Sequence, residues 1–168
     1  MKMRCVVIAL LLAFSLGVKA SDSMAGAQAM FIYNFLRNVK WPETGSNANF
    51  VIGVYGHSDT YNELLTFTKD RRIGTKPIVV KRIETEQEAA DCQLVFVPYG
   101  KSGKISEIKN AIGNNPVLIV SEKSGTIDDG SGIEFVLDGN KLRFRVGQNN
   151  IRGQQLVVSK ALIDMSAK

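Results

Sequence analysis

Four short apolar runs, at residues 50–56, 77–83, 93–98 and 117–120, alternate with stretches of helical or turn character, and this alternation restricts the fold most. Each run is bounded by glycine, proline or polar residues and reads as a buried strand. Between them the apolar spacing changes to steps of three and four. Ser58 or Asp59 can cap a segment carrying Tyr61, Leu64, Leu65 and Phe67. Residues 85–90 read as a short helical or turn segment. Ser102 can cap a helix with Ile105, Ile108, Ala111 and Ile112 on one face. Strands that alternate with helices imply a mostly parallel sheet covered on both faces.

The flanking segments complete that expectation. Met24, Ala27, Phe31, Phe35 and Val39 form a helical stripe, widened by Met30, Ile32 and Leu36. Arg37 and Lys40 fall in its last turns, where cations suit the helix dipole. Trp41-Pro42 stops the helix, because proline disfavours helical geometry in the residue before it. Trp41 is expected to be substantially buried near Phe31 and Phe35. Residues 43–49 and 69–76 read as polar loops, and 124–132 as a loop rich in glycine and aspartate. Residues 133–137 and 141–146, joined by Asp138-Gly139-Asn140, read as a hairpin. Leu142, Phe144 and Val146 alternate there with Lys141, Arg143 and Arg145, so only one face covers a core. Residues 156–158 fit an extended or a helical reading, before a final helix capped by Ser159. The expected fold is a three-layer α/β/α sandwich. Its sheet is mixed and mostly parallel, with about six strands and a C-terminal hairpin.

Residues 1–20 have the pattern of an export signal. Lys2 and Arg4 precede an apolar run from Cys5 to Val18, and Val18-Lys19-Ala20 is a small-x-small site before Ser21. The run is shorter than the about 20 apolar residues of a membrane-spanning helix. An uncleaved anchor is the competing reading. Cys5 starts the apolar run instead of ending it, which argues against a lipid anchor. Residues 21–168 then form a single domain, a length that suits one core. The whole chain carries 21 Lys+Arg against 16 Asp+Glu. Removing the signal takes three cations and no acid, which leaves 18 against 16, a net +2. That balance gives no support for nucleic-acid binding, which wants clustered cations on one face.

Of the 2 cysteines only Cys92 would survive cleavage, so no internal disulfide can form. Its place before an apolar run favours burial over a thiol exposed for intermolecular chemistry. His57, the single histidine, follows the first strand at its carboxyl end, where open α/β sheets often bind ligands. No spacing supplies it with metal or triad partners, and a loop histidine is the better reading. Gly100-Lys101-Ser102 lacks the earlier glycine of a phosphate loop, since Val95 stands there. Asp128, Asp129 and Asp138 lack the alternating ligands of a calcium loop and read as solvated turns. No catalytic residue, cofactor site or metal site is therefore expected. Arg71 and Arg72, with Lys76 in the same basic loop, and Arg143 and Arg145 on a strand face, are the candidates for an anionic partner surface.

Phe31-Ile32-Tyr33-Asn34-Phe35 followed by Val39-Lys40-Trp41-Pro42 resembles the opening of the YfiR-like family of periplasmic proteins. The order continues through 50–54, 92–97 with Cys92 at its head, 117–121, 132–135, 142–146 and 159–162, nearly the whole chain after the signal. The resemblance implies a small periplasmic repressor of an inner-membrane diguanylate cyclase. Such a protein binds the cyclase's periplasmic sensing domain and holds the cytoplasmic catalytic domain inactive. An outer-membrane lipoprotein partner relieves the inhibition, and cyclic di-GMP and biofilm then rise. Well-known members carry paired cysteines. Cys92 matches one such position, but no cysteine lies around Ser131, so a disulfide switch is not expected here. A homodimer stays open. A periplasmic small-ligand-binding accessory protein for a membrane receptor is the second reading, and an enzyme the third.

The first consequence is testable directly. Cleavage after Ala20 predicts an intact mass, for protein from a periplasmic extract, that begins at Ser21. A mass that retains residues 1–20 refutes it.

Overall fold

A computed structural model describes residues 24–42 and 48–167. The expected signal, and most of the expected loop at 43–49, lie outside the described residues. Helix α1 (Met24–Asn38) buries Ala29, Ile32, Phe35 and Leu36 along one stripe. It ends earlier than the apolar spacing suggests. The Asn38 amide donates back to the Asn34 carbonyl at 2.9 Å, and the chain leaves as a two-residue strand, β1 (Val39–Lys40). β1 pairs antiparallel with β9 (Val157–Val158). Val39 and Lys40 are thus extended, not helical: pairing with β9 gives their backbone another partner, and Pro42 forbids a longer helix. The ambiguous stretch at 156–158 is resolved as extended by the same pairing.

The main sheet has seven strands: β2 (Phe50–Tyr55), β3 (Arg72–Ile73), β4 (Lys76–Ile83), β5 (Leu94–Val97), β6 (Leu118–Ser121), β7 (Ile133–Asp138) and β8 (Lys141–Val146). Their order is β3-β4-β2-β5-β6-β7-β8. The five inner strands run parallel. The two edge strands are antiparallel. β3 is the strand that sequence reading placed inside a loop. Two residues carry no periodicity, and the turn at Gly74, with φ +58°, lets Arg72-Ile73 fold back on Lys76-Pro77.

Both faces of the sheet are buried, by alternation along single strands. Leu94 and Phe96 of β5 face a core roofed by α1, α2 (Asp59–Thr68) and α5 (Lys160–Met165). Val95 and Val97 face a second core under α3 (Ile105–Ile112) and a 3-10 turn at Gln87–Asp91. The α/β/α arrangement is therefore the expected one. Gly53 is needed on the second face: a Cβ there would lie 2.7 Å from Cys92 Sγ. Phe31 and Phe35 pack on Phe135 and Phe144, with ring centroids 5.0 Å apart for Phe35 and Phe144.

Caps follow local chemistry, with one correction. Ser58 Oγ accepts from Thr60 N at 3.2 Å, and Ser159 Oγ accepts from Leu162 N at 3.1 Å. Ser102 caps nothing. After Pro98 the chain first makes a 3-10 turn, Tyr99–Lys104, that buries Ser102, and α3 begins only at Ile105. Helix α4 (Gln148–Gly153) was not anticipated, because it buries Ile151 alone and so has no apolar stripe.

The hairpin of β7 and β8 turns at Gly139, with φ +60°. Phe144 points inward, while Lys141, Arg143 and Arg145 point out. Glu134 on β7 is buried, yet it is well satisfied. Its Oε2 accepts from Thr126 N at 2.6 Å and Ile127 N at 3.1 Å, and Arg145 Nη1 lies 3.5 Å from Oε1. One carboxylate thus holds the start of the 124–132 loop against the sheet. Glu134→Ala should cost about 3 kcal/mol in urea unfolding, because one buried and one partly buried backbone donor lose their acceptor. Arg145→Ala should cost under about 1 kcal/mol, since that guanidinium is half exposed. Equal losses would show that the ion pair, and not the backbone bonds, carries the effect.

Candidate functional site

An aromatic-lined hollow lies at the amino-terminal ends of the parallel strands. β2 starts there at Phe50 and β4 at Lys76, while Gln93 and Pro116 lead into β5 and β6. Gln93 organises this edge. Its carbonyl accepts from Trp41 Nε1 at 3.0 Å and from Leu118 N at 2.9 Å. Its side-chain oxygen accepts from Val51 N at 2.7 Å. Trp41 is half-buried and meets Phe50 edge to face, with centroids 4.9 Å apart. Phe50, not Phe31 or Phe35, is its ring partner.

Trp41 so held forms one wall of a groove of about 610 Å³, with Tyr33, Leu36, Phe50 and Ile73 as further apolar lining. Past Tyr33 and Arg37 the groove continues into a hollow of about 350 Å³ beside α1 and α2, lined by Met30, Phe31, Phe67 and Arg71. Cations surround both parts. Arg71 stacks with its guanidinium 4.7 Å from the rings of Tyr33 and of Phe67. Arg72 Nη1 donates to the Thr75 carbonyl at 2.8 Å. Among the described residues the side chains of Arg37, Lys40 and Lys76 make no ion pair. No acidic side chain among the described residues lines either hollow.

The four arginines singled out in the sequence thus fall into two places. Arg71 and Arg72 line the groove. Arg143 and Arg145 lie on the far edge strand, facing Asp138 and Glu134 at 3.5 Å each. Of the motif residues, Tyr33, Trp41, Pro42 and Phe31 line the two hollows, Asn34 ties down Asn38, and Phe35 is core. Lys76, of the same basic loop as Arg71 and Arg72, also lines the groove, together with Arg37 and Lys40, which the sequence does not mark as groove residues. Arg37 lies one turn after Tyr33 on α1, and Lys40 directly precedes Trp41, positions that equally suit the helix dipole.

The remaining candidates sit elsewhere. His57 is exposed at the carboxyl end of β2, beside a hollow of about 290 Å³. The buried polar groups there satisfy one another: Thr60 Oγ1 donates to Gln28 at 2.6 Å, Gln28 Nε2 donates to Glu122 at 3.0 Å, and Tyr99 N donates to Glu122 at 2.8 Å. Lys101 and Ser102 belong to the 3-10 turn. Asp128 and Asp129 are exposed on their loop. No group of three His, Cys, Asp or Glu among the described residues could hold a metal ion. Cys92 is buried on the inner face of the second core, its Sγ 3.5 Å from the Glu88 carbonyl. Burial pushes its thiol up to about 11.

The α/β sheet thus carries at one end a groove with an aromatic floor and a cationic rim. Residues 25–167 match the YfiR/HmsC-like family, and the chain belongs to that family. The family is one of periplasmic regulators and not of enzymes. No curated protein matches the chain. Among the described residues no helix is long and apolar enough to cross a membrane.

The Cys92 thiol sets a pH dependence. The folded state keeps the proton up to about 11, against 9.0 for the free group. Its contribution is complete below pH 9 and falls as the pH rises towards 11. The stability gap between wild type and Cys92→Ala should therefore narrow by about 2–3 kcal/mol across that window. Urea unfolding at both ends measures it, and a constant gap would refute the burial of the thiol.

Proposed function

We propose that this protein is a periplasmic repressor of an inner-membrane diguanylate cyclase, exported by a signal at residues 1–20 that is cleaved after Ala20. It binds the cyclase's periplasmic domain, keeps the cytoplasmic catalytic domain inactive, and so lowers cyclic di-GMP and biofilm formation. The family match over residues 25–167 carries this reading. The groove supports it, since Tyr33 and Trp41 of the family motif line a surface suited to a protein partner. Arg71 and Arg72 are the proposed contacts on that surface, and Arg143 and Arg145 offer a separate basic face. An outer-membrane lipoprotein that competes for the repressor would relieve the inhibition.

The mechanism is a population shift. A repressor acts only through its differential affinity for the inactive state of the cyclase. Moving the equilibrium from 99:1 active to 99:1 inactive takes about 5.5 kcal/mol of such difference. A few well-buried anchors supply energies of that order at an interface.

One observation favours the second reading, a small-ligand accessory protein for a membrane receptor: the 610 Å³ groove has the size of a small-molecule site. Cyclic di-GMP in a deletion strain decides between them. The repressor reading expects a rise that disappears when the membrane cyclase is deleted as well. No rise, or a rise that persists in the double deletion, rejects it.

A further inference from the structure

We propose that the groove beside α1 seats an acidic, amphipathic polypeptide segment of the partner, with an apolar side chain against Trp41 and carboxylates on the cationic rim. This rests on the reading that the partner is a protein, and it names the chemistry of the segment that is recognised.

Charge selects an acidic occupant. With Arg71, Arg72 and Lys76 on one side and Arg37 and Lys40 on the other, the rim has no anion among the described residues. Elsewhere, on the hairpin, Arg143 and Arg145 have carboxylates of the same chain beside them. Because net charge outside the signal is only +2, this clustering is a local field and not a property of the whole surface. Complementary potential of this kind steers encounter and fixes register.

Shape selects a chain over a compact anion. The two hollows share Tyr33 and Arg37 and follow α1 for several turns, from Lys40 back to Met30. The cations are divided between the two hollows, with Lys40, Arg72 and Lys76 on one, Arg71 on the other and Arg37 on both, an arrangement that suits a chain better than a single phosphate or carboxylate. Aromatic rings that are half-buried and carry a polar tip make good interface anchors. Arg71 is already stacked on Tyr33 and Phe67 at 4.7 Å, so little rotamer freedom remains to be lost when a carboxylate arrives.

The chain's single tryptophan is Trp41, so its fluorescence reports on the groove alone. The protein without its signal is titrated with a synthetic peptide of alternating Glu and Leu, with the Lys–Leu counterpart, and with benzoate as a small flat anion. A saturating Trp41 response to the Glu–Leu peptide, weakened about tenfold or more by Lys40→Glu/Lys76→Glu and by added salt, is the expected result. Arg71→Glu/Arg72→Glu should act likewise, but it also removes the stacking on Tyr33 and Phe67. The lysine pair, which makes no such contacts, keeps the test independent of folding. Lys141→Glu on the distant hairpin should leave the titration unchanged. No saturable response to the Glu–Leu peptide, an equal response to the Lys–Leu peptide, or benzoate binding as tightly and displacing the peptide would overturn the proposal. The last outcome would make the groove a small-anion site. The deletion strain reads the regulatory role separately. An unchanged cyclic di-GMP level with intact peptide binding rejects the repressor and leaves the groove assignment standing. A raised level with no peptide binding does the reverse.

Discussion

Two-sided burial of the central strands is the constraint on which the rest depends. β2, β5 and β6 send alternate side chains into two separate cores, so neither helical layer can be removed without exposing half of each strand. Val95, Val97, Ile105, Ile108 and Ile112 on the α3 side alone are buried. At about 2 kcal/mol for each such side chain, exposing them would cost on the order of 10 kcal/mol. That is comparable with the entire net stability of a domain. The same requirement explains Gly53. The Cys92 sulfur sits where a Cβ would have to go, and the turn at Gln87–Asp91 packs onto the sheet only because that Cβ is missing.

The ends of the parallel strands are finished differently, and this decides where the surface is free to bind. At the carboxyl ends, where open sheets usually receive ligands, Gln28, Thr60 and Glu122 spend their polar groups on one another and on the Tyr99 amide. At the amino ends Gln93 gathers Trp41, Val51 and Leu118 onto one residue. That hub fixes the aromatic wall but leaves the cations around it uncompensated among the described residues. The aromatic and cationic groove therefore lies at the end opposite to the one where open sheets usually receive ligands.

Most of the architecture could be read from apolar runs, because a strand buried on both faces leaves a continuous apolar signal. The runs ahead of Gly56 and Pro98 show it. Elements held by other means left little trace. β3 depends on a glycine turn, α4 buries one isoleucine, and β1 exists because a segment far along the chain pairs with it. The Ser102 cap failed for a related reason: Pro98 sets the backbone into a 3-10 turn, and the serine is spent inside it. The groove was half legible. Arg71 and Arg72 stood out as adjacent charges, and Trp41-Pro42 as a motif. Their meeting with Lys76 depends on the pairing of β3 with β4, and no spacing encodes that. For Trp41 the helical spacing predicts substantial burial near Phe31 and Phe35, whereas its indole follows the hydrogen bond to Gln93 to the edge of the sheet and stays half-buried.

The pairing of β1 with β9 also bears on the order of folding. Ser159 donates to Asn38 through both its amide, at 2.8 Å, and its hydroxyl, at 3.0 Å, across 121 residues of chain. Closing so long a loop costs entropy before any contact rewards it, so seams of this kind form late. Lys40 lies in the seam and Trp41 directly beyond it. The wall of the groove cannot settle until the segment at residues 157–159 has docked. A chain with its main sheet assembled but β9 still unpaired would lack this wall of the groove.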